Sequence, residues 1–414
     1  MSVITNQDWN LSTACELSNT VKTGVCKFGK KVINNMNTVE ILKQLIEFPT
    51  YQVTPDKVED GMKDCASFLL GHLERLGFRV KVDELFNITA ERIFGGEKSF
   101  LVNTHFDTVP PSSEWKDALY PILKGNNLYG LGASDAKGGI AATLSALSRL
   151  ENCRFARLIV QFMNYEDNAI EYHGRRLLGA PYFLSNNPDF TADYGINIEP
   201  TIVNDKWTVS IGCTGRVSFT VKTLGKEAHS SKPNLGRNAI YDMVKVVNAI
   251  RQIPPGKYKI DEFEARMPVN VATIEGGRAI NIVPGDCKIT CERRLFPTEK
   301  AEEVIETISS ALEKVEGVRV ECDFDPDVQL PYIIDKNEEV VSLLVNSVFR
   351  TLRYKPPLHI ELGRTDSVYL YHNAGIKTAI IGPGHMGHVA GEYINIDRLL
   401  EFTEVLENML KQET

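Results

Sequence analysis

The pattern of apolar and polar positions divides this chain into helices at a 3.6-residue period and short, strongly apolar strands. Residues 39–48 carry apolar side chains at helical spacing and form the first predicted element. Residues 60–76 make an amphipathic helix closed by Gly77, which suits a C-cap. Residues 78–82 alternate as a strand. The runs 100–103, 157–165 and 194–198 are apolar and β-branched and are predicted as strands, with helices at 140–150 and 175–184. From about residue 212 the pattern changes to strand 217–221, helix 239–250, strands 269–274 and 288–295, helix 299–315 and strand 318–324. That succession is the ferredoxin-like order. Residues 212–323 therefore read as an inserted second domain. Helix 337–351, strand 377–381 and helix 397–410 return to the first domain, which spans 36–211 and 324–414, with 1–35 as an N-terminal extension.

Composition narrows the class. A length of 414 residues suits two domains, and 43% hydrophobic with 24% charged residues is ordinary for a soluble globular protein. The net charge of −8 argues against nucleic acid or an anionic membrane as partner, since both favour a basic face. The 8 cysteines are dispersed with no C-x-x-C, so free thiols in a reducing cytosol fit better than a thiolate zinc site. The sequence has no apolar run long enough to span a membrane and no signal-peptide core, which gives a cytoplasmic expectation.

Candidate chemistry collects where strands stop. His105 and Asp107 follow strand 100–103, just ahead of Pro110 and Pro111. Asp135 lies in a glycine-rich loop before a helix; the spacing to Lys137 is not that of a phosphate-binding loop. Glu166 and Asp167 end the strand 157–165. Glu199 precedes Pro200, and His388 lies in the glycine-rich segment 382–392. In open α/β sheets, ligands bind beyond the carboxyl ends of the strands. Taken singly, Asp135 would serve as a helix cap, Glu166-Asp167 as a solvated turn and His105-x-Asp107 as a surface pair. Together, two imidazoles and four carboxylates carry more negative charge than a crevice holds without cations. Nitrogen and oxygen donors suit zinc, with cobalt or manganese as alternatives, and a shared carboxylate would make the site dinuclear.

Several segments then fall in the order of a known family: Thr104-His-Phe-Asp-Thr-Val-Pro110, Gly132-Ala-Ser-Asp-Ala-Lys-Gly-Gly139, Glu166-Asp167, Glu199-Pro-Thr201, His229-Ser-Ser-Lys-Pro233, Asn281-Ile-Val-Pro284 and His388 with Glu392. The chain resembles the dizinc metallopeptidase and aminoacylase family that includes acetylornithine deacetylase, succinyl-diaminopimelate desuccinylase and carboxypeptidases. The resemblance implies an α/β, zinc-exopeptidase-like catalytic domain with an open mixed sheet flanked by helices, and an inserted ferredoxin-like lid and dimerisation domain. It implies two divalent metal ions, one on His105 and Glu199, the other on Asp167 and His388, with Asp135 bridging through a cis peptide to Ala136. Glu166 is then the general base, Asp107 orients His105, and His229 stabilises the oxyanion in the partner subunit's site. Arg294 and Asn281 grip a substrate carboxylate, and Arg364 lies where the family shapes its acyl pocket. The implied substrate is a small N-acylated amino acid or short peptide, and the implied assembly a homodimer. The pattern has a histidine four residues before a glutamate, which selects His388 over His385. The family usually has two adjacent glutamates where this chain has Glu166-Asp167. A register one residue later would make Asp167 the base and Asn168 the ligand.

Overall fold

The computed structural model describes residues 37–52, 60–167, 169–172, 175–326, 328–385 and 387–412. The extension expected at 1–35 lies outside the described residues, as do Asn168 and His173. In chain order, the strands that matter here are β1 (Arg79–Val82), β2 (Ile88–Ile93), β3 (Ser99–His105), β4 (Arg157–Met163), β5 (Tyr194–Asn197) and β6 (Val209–Cys213). A second group follows: β7 (Gly215–Leu224), β8 (Val269–Gly276), β9 (Asp286–Leu295) and β10 (Val320–Phe324). Then come β11 (Tyr332–Ile333), β12 (Leu358–Glu361) and β13 (Lys377–Ile380). The helices are α1 (Thr38–Glu47), α2 (Asp60–Arg75), α3 (Lys137–Ser148), α4 (Gly179–Asn186), α5 (Ala239–Arg251), α6 (Ala301–Glu313), α7 (Glu339–Leu352), α8 (Ser367–Ala374) and α9 (Ile396–Leu410).

The main sheet is mixed and runs β1-β2-β4-β3-β5-β13-β6-β11, with β12 also pairing with β6. Its four central strands β4, β3, β5 and β13 are mutually parallel, so their carboxyl ends open on one edge. Helices cover both faces. Along β3, Phe100 and Val102 join the large core with α1, α3 and α9, while Leu101 joins a smaller cluster with Leu370 of α8. Strands buried on both sides need continuous apolar runs, which is what β3 and β4 carry.

The second group forms a separate four-stranded antiparallel sheet in the order β8-β9-β7-β10. One face is covered by α5 and α6. Phe219, Val221, Cys287, Ile289 and Cys291 pack there against Met243, Val246 and Ile308. The opposite face is polar, and β7 alternates along its full length.

Three local expectations change. The strand expected at 157–165 ends at Met163; Tyr165 is fully buried but takes a left-handed φ of 59°, which turns the chain before Glu166. The helix expected from Arg175 starts at Gly179 instead, and Arg175–Leu177 pairs as a strand with Ile170–Tyr172. Pro181 explains the shift: it lacks an N–H and fits only the first turn of a helix. Finally, a hairpin of Gly256–Ile260 and Phe263–Met267 stands between α5 and β8, outside the expected ferredoxin-like order.

Candidate active site

The parallel edge gathers side chains from four strand exits. His105 is the last residue of β3 and is 1% exposed. Its Nε2 lies 3.1 Å from Asp135 Oδ1 and 3.6 Å from Glu199 Oε2. Its Nδ1 lies 3.0 Å from the Asp107 carbonyl oxygen and 3.4 Å from Asp107 Oδ1. Asp107 ties two exits together: its carboxylate accepts from the Glu166 and Asp167 amides, each at 3.1 Å. Asn103 Nδ2 donates to Asn197 Oδ1 at 2.7 Å, and Asn197 Nδ2 donates to Glu199 Oε1 at 3.1 Å, which sets the rotamer of Glu199. On the other side, His388 Nε2 lies 2.7 Å from Asp167 Oδ1 and 3.6 Å from Asp135 Oδ2.

Two triads therefore share one carboxylate. His105, Asp135 and Glu199 each bring a ligand atom within 4.8 Å of one another, and so do Asp135, Asp167 and His388. A third grouping of His105, Asp107 and Asp167 meets the same distance, but both Asp107 oxygens are already occupied by backbone amides. The Asp135–Ala136 peptide is cis. His388, at φ 60°, faces the acids; the His385 ring lies against Tyr393 instead.

The loop carrying Asp135 is held from beneath by Glu392, 2% exposed. Its Oε1 accepts from the Ser134 and Asp135 amides at 2.8 and 3.0 Å, and its Oε2 from the Gly132 amide at 3.0 Å. The His385 amide donates to Ser134 Oγ at 3.0 Å, and a Cβ on Gly387 would fall 2.1 Å from Asp135 Oδ2. Segment 384–392 and loop 132–137 thus form one stitched unit. Sequence reasoning used Glu392 only to choose between two histidines. Its signal was an acid in an otherwise glycine-rich segment.

The electrostatics fit divalent cations. Burial pushes the Glu199 carboxyl up to about 7 and raises Glu166 and Asp167 above the usual carboxylate range. Burial alone would lower His105, yet Glu199, Asp107 and Asp135 together raise it well above its ordinary value. The hydrogen bond to Asp167 raises His388 to about 9. Glu166 Oε1 and Asp167 Oδ2 are buried with no hydrogen-bond partner among the described residues. Buried acids whose charged forms are disfavoured, with oxygens to spare, form a donor set suited to holding cations. No cysteine joins the triads among the described residues, so the donors are hard nitrogen and oxygen atoms.

A cavity of about 510 Å³ opens over this edge. Besides Asp135, Glu166, Asp167, Glu199 and His388, its walls include Arg216, Arg294, Glu361 and Arg364. Arg364 Nη2 donates to the Glu166 carbonyl at 2.6 Å and lies 3.6 Å from Glu166 Oε1, while Nη1 donates to Tyr369 Oη at 3.2 Å. Arg216 and Arg294 are cross-strand partners and share Glu292, at 3.7 and 3.5 Å. His229 and Asn281 are not brought to this cavity. They sit beside each other on the smaller unit, where His229 pairs with Ile282 and the Ser230 amide donates to the Asn281 carbonyl at 3.0 Å. The His229 side chain is exposed, its Nδ1 2.8 Å from Ser231 Oγ.

With this geometry in view, the relatives of the chain can be stated. A family model described as a peptidase dimerisation domain matches residues 211–319, which hold β7, β8 and β9 of the four-stranded sheet and the two helices that cover it. The chain is 26% identical over 347 residues to a succinyl-diaminopimelate desuccinylase of Wolinella succinogenes, covering 80% of this chain and 88% of that protein. It is 29% identical over 290 residues to an acetylornithine deacetylase of Vibrio atlanticus, covering 67% and 73% of the two. Its fold matches an M20 family metallo-carboxypeptidase of Sulfolobus solfataricus with a TM-score of 0.72 at 19% identity, over 90% of this chain and 98% of that one. Fold, donor set and relatives define a metallohydrolase acting on amide bonds. The chain is similar in sequence to these two hydrolases and in fold to the M20 family metallo-carboxypeptidase. No helix among the described residues is long and apolar enough to cross a membrane.

Proposed function

We propose that this chain hydrolyses the amide bond of small N-acylated amino acids, as a homodimer with a dinuclear metal site. The observation that carries the reading is the pair of triads sharing Asp135, with a Glu166 oxygen that accepts no hydrogen bond among the described residues beside them. His105 and Glu199 would hold one ion, Asp167 and His388 the other, and Asp135 would hold both; zinc suits these donors first, cobalt or manganese next. Bound there, the ions supply Lewis acidity toward a water and an amide carbonyl.

The chain's own groups account for the rest. Glu166 takes the proton of the attacking water and hands it to the leaving amine, a role that suits a buried carboxylate with an oxygen that accepts no hydrogen bond among the described residues. Arg364 fixes Glu166 through its main-chain carbonyl. Asp107 sets the ring orientation of His105. Arg294 receives the substrate carboxylate through its guanidinium fork. The exposed His229, with Asn281 beside it, is presented to a second subunit, where an imidazole would stabilise the oxyanion. Asp167 facing His388 favours Asp167 as ligand and Glu166 as base over the register shifted by one residue.

A dipeptidase or carboxypeptidase activity of the same machinery is the second reading, favoured by the carboxypeptidase fold match. Metal reconstitution followed by a substrate panel tests both. Two ions per chain with turnover of N-acetylornithine or N-succinyl-diaminopimelate is the expected result. Turnover of dipeptides alone selects the second reading, and less than about one ion per chain contradicts the shared-carboxylate site.

A further inference from the structure

The cavity carries more charge than the proposed hydrolysis uses. Beyond the metal-capable groups and Glu166, its walls hold three guanidiniums and one further carboxylate, Glu361. Each arginine already faces an acid: Arg216 and Arg294 face Glu292, and Arg364 faces Glu166. Glu361 has no such partner. It forms no ion pair among the described residues, and only one of its oxygens is bonded: Oε1 accepts from the Leu362 and Gly363 amides at 2.8 and 3.2 Å.

The backbone that bears this carboxylate is fixed. Glu361 is the last residue of β12. Its amide donates to Ser210 Oγ at 2.8 Å, and its carbonyl accepts from the Thr214 amide at 2.9 Å. Burial raises its carboxyl above the usual range; the two amides and Arg294 oppose this, and Asp135 adds to it. This desolvated carboxylate is held by its own turn with one oxygen unbonded on a cavity wall, and the charge that favours it, Arg294, already pairs with Glu292, so a further cation can be taken there.

We propose that Glu361 is a specificity-determining residue that binds a cationic nitrogen of the substrate, so that the preferred substrates carry an ammonium or guanidinium group in addition to the scissile amide and a carboxylate. This rests on the hydrolase reading above. Arg294 comes from β9 of the smaller sheet and Glu361 from the main sheet, so opposite charges stand on different walls of the cavity. A zwitterion placed the right way round pairs both ends, and reversed it meets like charge at both. An N-acyl derivative of an apolar amino acid would leave Glu361 without an ion-pair partner.

The test uses full-length metal-loaded enzyme and two matched substrate pairs: N-acetylornithine against N-acetylnorvaline, and alanyl-lysine against alanyl-norleucine. In whichever pair is hydrolysed, the cationic member is expected to have a kcat/KM higher by on the order of 10²-fold, the scale of a desolvated charge pair. Glu361→Gln should bring that ratio close to one, Glu361→Asp should keep part of it, and Glu361→Arg should turn the preference toward the N-acetylglutamate analogue. A wild-type ratio near one, or a ratio unchanged in Glu361→Gln, overturns the inference while the hydrolase reading stands. Hydrolysis of neither pair overturns the inference, and the hydrolase reading falls with it only if N-succinyl-diaminopimelate is inert as well.

Discussion

The two sheets of this molecule solve opposite problems. In the main sheet, β3 and β4 are buried on both faces, and the acids and the histidine of the site stand at the carboxyl edge. There His105, Glu166, Asp167 and Glu199 accumulate within a few residues of the strand ends. In the smaller sheet only one face is buried. β7 alternates buried and half-buried residues over all ten positions, and its polar residues lie on a face that can meet another surface. β8 is an edge strand of this sheet and leaves Ile274 60% exposed; nearby Tyr241 on α5 is 72% exposed. Charge stored at an edge makes a reactive site, whereas polarity spread over a face makes a surface for association.

The sharpest way to separate the two is to remove Glu166. Glu166→Ala should lower kcat by about 10³-fold while metal content and the unfolding transition stay near wild type, because the change touches a proton carrier and not a core. Retention of wild-type turnover would exclude Glu166 as the base. The converse change is Phe219→Ala, in the core of the smaller sheet where Phe219 packs on Phe324 with ring centroids 5.4 Å apart. It should cost about 3–5 kcal/mol in denaturant unfolding and weaken self-association, with the metal content of the folded protein unaltered.

Glu392→Ala probes the link between strand exits and loops. His105 and Glu199 are fixed by the main sheet, whereas Asp135 and His388 sit on the two segments that Glu392 stitches together. Titration calorimetry should show both metal steps weakened, because Asp135 serves both triads, with the step that also uses His388 weakened more, by roughly 10–100-fold. Equal weakening of both steps would mean that the strands, too, depend on the clamp.

Acid stability offers a further contrast. His359 is buried in the main sheet, and burial lowers its pKa from 6.5 to about 4. The unfolded chain then takes up a proton first as pH falls. The stabilisation is complete above 6.5 and is lost toward 4, at about 1.4 kcal/mol per pH unit in that window. His359→Gln should flatten this part of the pH–stability profile relative to wild type.

The sequence displayed the site more clearly than it displayed the path of the chain. Acids and histidines at strand exits could be read because prolines and glycines marked where the strands stop. Tyr165 misled because apolarity reports burial, not backbone angle: the side chain is fully buried after the strand has already turned. Arg175–Leu177 had too few residues to show a period. The hairpin at 256–267 had no apolar face strong enough to announce it, since most of its side chains are exposed or half-buried. Glu361 was hidden in another way. An acid at the end of a four-residue strand reads as solvent-facing, and only the tertiary fold places it on a cavity wall.

The strand order of the main sheet has a consequence for biosynthesis. β13 lies between β5 and β6, in the middle of the sheet, yet it is the last of these strands to leave the ribosome. A nascent chain that has not reached Lys377 possesses His105, Glu166, Asp167 and Glu199 but has a gap where the sheet should close, and it lacks His388 altogether. Assembly of the complete donor set is therefore tied to completion of the polypeptide. Under the proposed dinuclear site, ions met before Lys377 and His388 emerge would find only a partial set of ligands.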